Sequence, residues 1–269
     1  MADFDQGVKG ASGNRTHLEG RPFQGQAVLI TGASRGIGRA TALRFAEGGA
    51  DIVVNYLRHR SAAEATAEEI RAFGVRAETV RADVGNVDDL DRLFSEIKER
   101  FGGLDIVVSN AALGVLRMAM DLEVKHWQKT IDVMGRALWL CAQRAVPLME
   151  GRWGRIIAIS SIGSFRVLPN YVGPGVAKAI LETLTRYLAV ELAPKGISVN
   201  TVSGGVIETD ALDSFSNKDD MLTFGKRAPL GRLGRPDDIA GVVTLLCRPE
   251  ARWICGQTII ADGGYSLLV

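Results

Sequence analysis

The stretch AVLITGASRGIGRATALRF, residues 27–45, decides the fold. A short apolar run leads into a turn that carries Gly32, Gly36 and Gly38 in TGxxxGxG spacing. The residues after this turn have the apolar periodicity of an amphipathic helix. The stretch therefore predicts a strand, a tight turn and a helix in direct succession.

The glycine-rich turn also indicates a binding site. Residues without a Cβ let the backbone come close to a bound group, and the first turn of a helix presents free N–H groups to an anion. Ordinary strand–helix turns use glycine as well, so the spacing alone is weak evidence. Its place between a strand and a helix, near the start of a βαβ unit, favours a site for the pyrophosphate of a dinucleotide.

Similar alternation continues along the chain. Short apolar, β-branched runs that predict strands lie at 27–31, 51–56, 75–83, 104–110, 154–160, 197–202 and 257–262. Helical patterns lie between them, near 37–48, 62–73, 88–101, 122–149, 175–193 and 237–247. Nearly continuous apolar strands that alternate with helices are typical of a parallel sheet covered on both faces, the doubly wound α/β class. With no linker in between, we predict one domain over residues 25–269.

Two segments depart from this rhythm. Residues 1–24 are polar and predict a mobile N-terminal extension, with an arm docked on a neighbouring subunit as the alternative. Residues 206–236 are polar and rich in Gly and Pro, including APLGRLGRP. A long excursion after a late strand predicts a lid over the substrate; a loop without function is the alternative.

Composition excludes several classes of protein. The 269 residues are 46% hydrophobic and 23% charged with a net charge of +1, which argues against nucleic-acid or membrane partners. Three scattered cysteines predict neither a disulfide scaffold nor a metal site, so we expect a reducing, cytoplasmic location. No apolar run approaches the ~18 residues of a membrane span.

Two arginines predict which dinucleotide is bound. An NAD-selective site tends to place an acidic residue at the end of the second strand, where this chain has Asn55 followed shortly by Arg58. Arg35 in the glycine-rich turn adds a second guanidinium group. Because the planar guanidinium pairs well with phosphate oxygens, the two side chains favour the 2′-phosphate of NADP. Alternatively, Arg58 and Arg60 only solvate a surface loop.

Further candidate cofactor contacts follow the third and fourth strands. Asp83 is placed to accept a hydrogen bond from the adenine amino group, or it serves as a helix N-cap or turn residue. Asn110 and Ala111 follow the fourth strand, where small residues let the backbone approach the cofactor.

The segment PNYVGPGVAK, residues 169–178, holds the candidate catalytic pair. Six residues separate Tyr171 from Lys178, whereas many nicotinamide-dependent enzymes have three between the two, and Pro174 occupies that position here. Residues four and seven apart share a helix face, so the change moves the phenol by one turn, roughly 4–5 Å. Pro174 is expected in the first helical turn, with Tyr171 just outside the helix.

These motifs together carry a family resemblance. The relevant segments are TGASRGIG, Asp83-Val84, Ser109-Asn110-Ala111-Ala112, Ser161, Tyr171, Lys178 and ISVNTVSGGVIETDAL. From about residue 25 to the C-terminus the chain resembles the short-chain dehydrogenase/reductase family. Within it, the Tyr-x6-Lys spacing and the ending GQTIIADGGYSLLV are most similar to the NADPH-dependent enoyl-[acyl-carrier-protein] reductase III type.

The resemblance implies a Rossmann fold with about seven parallel strands, an NADPH site and a homo-oligomer, often a tetramer built on two long helices. Lys178 would contact the nicotinamide ribose, Tyr171 would hydrogen-bond the substrate oxygen, and Ser161 matches the family serine. Ile207 and Thr209 match positions that hold the carboxamide and the phosphates. The full set of predicted cofactor contacts is Gly32, Ser34, Arg35, Gly36, Ile37, Gly38, Arg58, Asp83, Val84, Asn110, Ala111, Lys178, Gly204, Ile207 and Thr209.

Three functions are compatible with these residues. The displaced phenol favours NADPH-dependent reduction of the 2,3 double bond of enoyl thioesters, in fatty-acid or polyketide-type synthesis. A ketoreductase of 3-oxoacyl or related carbonyl substrates is the first alternative, and a redox-sensing NADP-binding protein without turnover is the second. Ser161 either hydrogen-bonds the thioester or only satisfies the turn after the fifth strand.

One position departs from the family pattern. Met134 stands where the family usually has an Asn that holds a water in a proton relay through the lysine. A thioether is a weak acceptor and cannot donate, and the alternative interpretation is that Met134 fills space in the long helix. In either case proton delivery must differ from the usual relay.

The carrier of the acyl group is a further expectation. Acyl carrier protein is acidic, so basic residues around the pocket mouth would suit it as a partner. The candidate contributors are Arg117, Lys125, Arg152 and Arg166. The alternative is that these are separate solvated charges.

Overall fold

The computed structural model describes residues 20–113, 115–209, 223 and 226–268. In this part of the chain, seven parallel strands form one sheet in the order β3-β2-β1-β4-β5-β6-β7. The strands are β1 Ala27–Ile30, β2 Asp51–Tyr56, β3 Ala77–Arg81, β4 Ile106–Ser109, β5 Gly154–Ser161, β6 Ile197–Gly204 and β7 Thr258–Ala261. The order reverses between β1 and β4, which opens a crevice at the carboxyl ends of these strands.

Helices cover both faces of the sheet. They are α1 Gly36–Glu47, α2 Arg60–Arg71, α3 Val87–Phe101, α4 Val124–Thr130, α5 Ala137–Ala145, α6 Val172–Leu192 and α7 Pro236–Leu246. Buried apolar side chains of α1, α2 and α7 pack in one core layer, and those of α3, α5 and α6 pack in the other. The doubly wound α/β prediction is confirmed.

Local sequence explains where these helices begin and end. The side chain of Asn86 caps α3 by accepting a hydrogen bond from the Asp89 N–H at 3.0 Å, and Gly102 ends the helix with φ +69°. Asp88 and Asp89 in the first turn favour the positive end of the helix dipole.

A π-helical segment, Ile131–Arg136, joins α4 to α5. Gly135 lies against Ile180 of α6, where an added Cβ would come within 3.2 Å of the Ile180 side chain. Met134, which is 3% exposed, packs in the core between the sheet and α6. Met134 therefore fills space in the core, as the alternative interpretation has it. Its thioether has no proton to relay.

The packed fold starts slightly earlier than the boundary predicted at residue 25. Phe23 is 2% exposed and its ring lies 4.8 Å from that of Phe45, edge to face. The rest of the proposed extension, residues 1–19, lies outside the described residues.

The segment predicted as a lid is described only at its two ends. Glu208 N donates to Gly234 O at 2.8 Å, and Gly234 N donates to Val206 O at 3.0 Å. These bonds close the base of the excursion. Residues 210–222 and 224–225 lie outside the described residues, so the lid stays a prediction. Among the described helices, none has the length and hydropathy needed to cross a bilayer.

Candidate active site

The glycine-rich turn sits at the switch point of the sheet, between β1 and α1. An added Cβ on Gly38 would lie 2.4 Å from Gly32 O, and one on Gly32 would lie 3.0 Å from the Ala111 Cα. Gly32 and Gly36 have φ values of +66° and +57°, a region that L side chains rarely adopt. These glycines are therefore required for the close approach of β1, α1 and the chain after β4.

The start of α1 suits an anionic ligand. Arg35, the residue before the helix, makes no side-chain cap, and the first turn of the helix has no acidic residue. Thr209, from beyond β6, lies next to the turn, with its Cγ2 3.5 Å from the position of a Cβ on Gly36. Free N–H groups, a positive helix end and a neighbouring hydroxyl fit the pyrophosphate of a dinucleotide.

Two asparagines hold the turn in place. Asn55 accepts a hydrogen bond from Gly32 N at 3.2 Å and donates to Val80 O and Ala82 O. The amide of Asn110 donates to Thr31 O at 2.9 Å and to Gly32 O at 3.1 Å. The side chain of Asn110 therefore supports the turn. The sequence predicted only a contact between Asn110 and the cofactor.

The Thr31 hydroxyl completes this support. It accepts hydrogen bonds from the N–H groups of both Asn110 and Ala111, each at 2.9 Å. These bonds join the ends of β1 and β4 at the switch point. Sequence reasoning missed the roles of Asn55 and Thr31, because the partners of Asn55 lie on β3 and just beyond it, and those of Thr31 lie just after β4.

The two arginines assigned to the 2′-phosphate are exposed, one in the turn after β1 and the other after β2. In the described part of the chain, the side chains of Arg35 and Arg58 make no hydrogen bond or ion pair with the protein. Nearby Arg39, by contrast, pairs with Glu69. Two unpaired guanidinium groups beside the turn fit a phosphate monoester better than a ribose hydroxyl.

The remaining predicted cofactor contacts differ in exposure. Ser34 is buried, and its carbonyl accepts a hydrogen bond from Thr66 at 3.3 Å. Ile37 is half-buried at the start of α1. Val84 and Ile207 bury their side chains in the two core layers, which leaves mainly their backbone for any ligand. Gly204 ends β6, close to Ile207.

Asp83 adopts the turn role that was the alternative to adenine binding. Its Oδ1 accepts a hydrogen bond from Gly85 N at 2.9 Å, and its Oδ2 pairs with Lys129 Nζ at 2.6 Å. A carboxylate has further acceptor positions, so the adenine contact stays a prediction.

The catalytic pair meets at the carboxyl end of β5. Tyr171 immediately precedes α6, and the Ser161 side chain lies close enough to the phenol to lower its pKa. Lys178 is 5% exposed, and its Nζ donates to Ile159 O at 2.6 Å. Pro174 lies in the first turn of α6, as predicted, where its missing N–H leaves no partner unsatisfied.

Burial sets the protonation of both groups. It raises the pKa of Tyr171, so the phenol remains a proton donor at neutral pH; the neighbouring Ser161 side chain opposes this effect. Burial lowers the pKa of Lys178 to about 8, and the Glu182 carboxylate acts in the opposite direction. The ammonium form therefore predominates at neutral pH and is lost as the pH rises through about 8.

Ser161 fills one of the two roles between which the sequence left a choice: its Oγ accepts a hydrogen bond from Gly163 N at 3.1 Å, which satisfies the turn after β5. A hydrogen bond from Ser161 to the thioester stays a prediction. The ring of Tyr171 packs on Gly163, where a Cβ would lie 2.5 Å from Cε1. Gly163 is therefore needed for the observed position of the ring.

A cavity of about 550 Å³ lies beside the phenol. Its lining is mainly apolar and includes Met118, Phe165, Leu168, Tyr171, Val172 and Val176. Arg117 and Arg166 also line it, as expected for a basic pocket mouth. Arg152 does not: it pairs with Asp105, next to the start of β1, at the opposite end of the strands. The prediction that Arg152 contributes to the pocket mouth was wrong, because spacing along the sequence does not show which end of the sheet a residue occupies.

The fourth basic candidate, Lys125, is exposed and pairs with Glu123 at 2.7 Å. No group of three His, Cys, Asp or Glu side chains within the described ranges is arranged to hold a metal ion.

Comparison with known proteins agrees with this geometry. The profile of a family described as enoyl-(acyl carrier protein) reductase matches residues 32–266. A 1-cyclohexenylcarbonyl-CoA reductase from Streptomyces collinus is 40% identical over 258 residues, 95% of this chain and 92% of the relative. A 3-oxoacyl-[acyl-carrier-protein] reductase FabG from Staphylococcus aureus is 38% identical over 242 residues, 89% of this chain and 97% of the relative.

A solved structure is similar over nearly the same span. The short chain dehydrogenase from Burkholderia cenocepacia, in complex with NADP, has a TM-score of 0.85 at 34% identity, covering 91% of this chain and 99% of its own. The expected family and the expected class of oxidoreductase are both confirmed by these similarities. The chain therefore belongs to the short-chain dehydrogenase/reductase family of oxidoreductases.

Proposed function

We propose that the protein is an NADPH-dependent reductase of 2-enoyl thioesters. The observation that carries this proposal is the position of Tyr171. Tyr171 immediately precedes α6, near Ser161 at the end of β5, and Pro174 occupies the place nearer to Lys178. The phenol is thus displaced by one helical turn, roughly 4–5 Å along α6.

The displacement matches the chemistry of a conjugated thioester. In ketone reduction, the carbon that accepts hydride carries the oxygen that needs a proton donor. In enoyl reduction, hydride is accepted at C3, and negative charge develops on the thioester oxygen attached to C1. A phenol moved along the helix suits this more distant oxygen. Tyr171 would act as an oxyanion-hole donor to the enolate.

The other residues have supporting roles. The buried ammonium group of Lys178 favours the negatively charged intermediate and would hold the ribose of the cofactor. Ser161, beside the phenol, would help to orient it. NADPH, when bound, supplies the hydride. The cavity beside Tyr171 offers an apolar surface for the acyl group and would keep water from the enolate.

The names of the similar proteins support reduction of an acyl thioester, but they differ in the bond that is reduced. The name of the Streptomyces collinus relative describes an α,β-unsaturated thioester. The name of the Staphylococcus aureus relative describes a 3-oxoacyl thioester. Ketoreduction therefore remains the second candidate, and it is favoured by the retention of Ser161 and Lys178.

One assay distinguishes these functions. NADPH oxidation is followed with crotonyl-CoA, with acetoacetyl-CoA and without substrate. We expect a specificity constant for crotonyl-CoA at least 10-fold above that for acetoacetyl-CoA, with butyryl-CoA as the product. Turnover of acetoacetyl-CoA alone would establish the ketoreductase instead. Binding of NADPH without turnover on a broad panel would favour a redox sensor.

The choice of NADPH gives a separate prediction. Replacing Arg58 with Glu removes a cation from the proposed 2′-phosphate site and places a carboxylate where NADH offers a ribose hydroxyl. We expect the ratio of kcat/KM for NADPH to that for NADH to fall at least 10-fold. Arg248→Glu, beyond the end of α7, makes the same charge change far from the site. Equal ratios in the parent and both variants would refute the assignment of Arg58.

The carrier and the assembly belong to the proposal as well. Arg117 and Arg166 beside the cavity suit the phosphate groups of an acyl-CoA or an acidic acyl carrier protein. Exposed apolar side chains on α5 and α6, including Trp139 and Val190, suit a homo-oligomer, either dimer or tetramer.

A further inference from the structure

Glu182, one turn after Lys178 on α6, holds an unusual position for a carboxylate. Its Oε1 accepts a hydrogen bond from Ser160 Oγ at 2.5 Å and another from Ser164 Oγ at 2.7 Å. O–H···O distances this short are typical of an ionised acceptor. Two hydroxyl groups from β5 and the turn after it therefore fix a negative charge against the inner side of α6.

The nearby cation is Lys178. Ser160 is buried, and Glu182 is half-buried between α6 and β5. A charge at such a position is costly unless a partner compensates it. Burial lowers the pKa of Lys178, and the Glu182 carboxylate is the charged group that raises it. Arg117, Arg166 and Tyr171 line the neighbouring cavity, and burial raises the pKa of Tyr171, so the phenol is neutral at neutral pH.

Glu182, Ser160 and Ser164 form a polar cluster, and a further hydroxyl group, that of Ser203, lies beside it. Ser203 on β6 pairs in register with Ser160 on β5, so both side chains face α6. Within the described residues, the buried Ser203 Oγ makes no hydrogen bond in the protein. Ser164, at the other end of the cluster, lines the 550 Å³ cavity. Hydroxyl groups therefore connect the cavity to the carboxylate beside Lys178.

Met134 offers no such connection. It is buried next to Gly135, which packs on α6, and its thioether has no proton to donate. Among the described groups, Glu182 combines the required charge, the contact with hydroxyl groups and a position one helical turn from Lys178.

We propose that Glu182, held by Ser160 and Ser164, is the counter-charge and proton partner of Lys178. The proposal rests on the role of Lys178 in the reduction proposed above. Each turnover oxidises one NADPH and takes one proton from solvent to the carbon next to the thioester carbonyl. When Lys178 has given up a proton, the ionised Glu182 first takes a proton from the cavity through the Ser164 hydroxyl. It then passes this proton to the neutral amine of Lys178 and returns to its ionised form, so that one solvent proton is used per turnover.

Glu182→Gln tests this proposal, because the amide preserves the shape of the side chain and removes its charge. We expect kcat to fall about 10²-fold, the scale of a lost proton-transfer group, while KM for both substrates changes less than threefold. Without the carboxylate, Lys178 loses its proton at a lower pH. The basic limb of the kcat profile should therefore move to lower pH.

Two further variants strengthen the test. Glu182→Asp should restore part of the activity and of the basic limb. Ser164→Ala should move kcat and the pH profile in the same direction as Glu182→Gln, by a smaller amount. Because Ser164 lies in the turn beside the cavity, this variant decides the question if Glu182→Gln does not fold.

Glu191→Gln is the matched control, since it removes the same charge from an exposed site on the same helix. It should leave kcat and the pH profile unchanged. Folded Glu182→Gln or Ser164→Ala with parental kcat and pH profile would overturn the proposal. The substrate used is whichever thioester the parent reduces. Turnover of acetoacetyl-CoA alone would thus reject enoyl reduction and still leave Glu182 open to the same test.

Discussion

Replacing Tyr171 with Phe is expected to lower kcat with the enoyl thioester by about 10²–10³-fold, the range found for removal of one oxyanion-hole donor. The ring remains packed on Gly163, so the change removes only the hydroxyl. The dissociation constant for NADPH should change less than twofold. Stopped-flow turnover and a fluorescence titration of NADPH measure the two quantities separately.

Tyr187→Phe is the control for this substitution, because it removes a phenol from an exposed position on the same helix. It should leave kcat unchanged. If the Tyr171→Phe variant turned over at the parental rate, the phenol would have no part in the mechanism. Its displacement would then no longer support enoyl reduction.

Replacing Lys178 with Ala is expected to reduce both turnover and NADPH affinity. The ammonium is buried and is proposed to hold the cofactor ribose and to favour the enolate, so its loss should lower kcat by at least 10³-fold and weaken NADPH binding about 10-fold. Ile159 O also loses its donor, which we expect to lower the free energy of unfolding by about 1–3 kcal/mol.

Lys195→Ala, at an exposed position just after α6, is the matched control and should preserve turnover, affinity and stability. Steady-state kinetics, NADPH titration and urea denaturation report the three quantities. A Lys178→Ala variant with reduced stability but parental kcat/KM would limit the residue to a structural role.

Much of the fold was predictable because its signals are local. Asp51–Tyr56 is an unbroken, mainly apolar run between polar segments, and the observed strand has the predicted bounds. Pro174 fixed the start of α6 closely enough to place Tyr171 just outside the helix, where it is observed. Neither inference required knowledge of a distant part of the chain.

The candidate site was less predictable where it depends on strand register and sheet order. Asn55 was noted only because it stands where an NAD-selective site has an acidic residue, but its side-chain amide bonds backbone groups of β3 and of the glycine-rich turn. Glu182 resembles a solvated helix residue in sequence. Only the meeting of β5 and α6 places it against Ser160 and Ser164. Arg152 illustrates the same limit, because its segment returns to the opposite end of the sheet.

The central claim is that the phenol of Tyr171 serves an oxygen two carbons away from the hydride acceptor. A crystal structure with NADP and a non-reducible enoyl-CoA analogue tests it most directly. We predict C3 of the analogue over C4 of the nicotinamide, with the Tyr171 hydroxyl within hydrogen-bond distance of the thioester oxygen. A carbonyl carbon over C4, with the Tyr171 hydroxyl on its own oxygen, would contradict the account and assign the protein to ketone reduction.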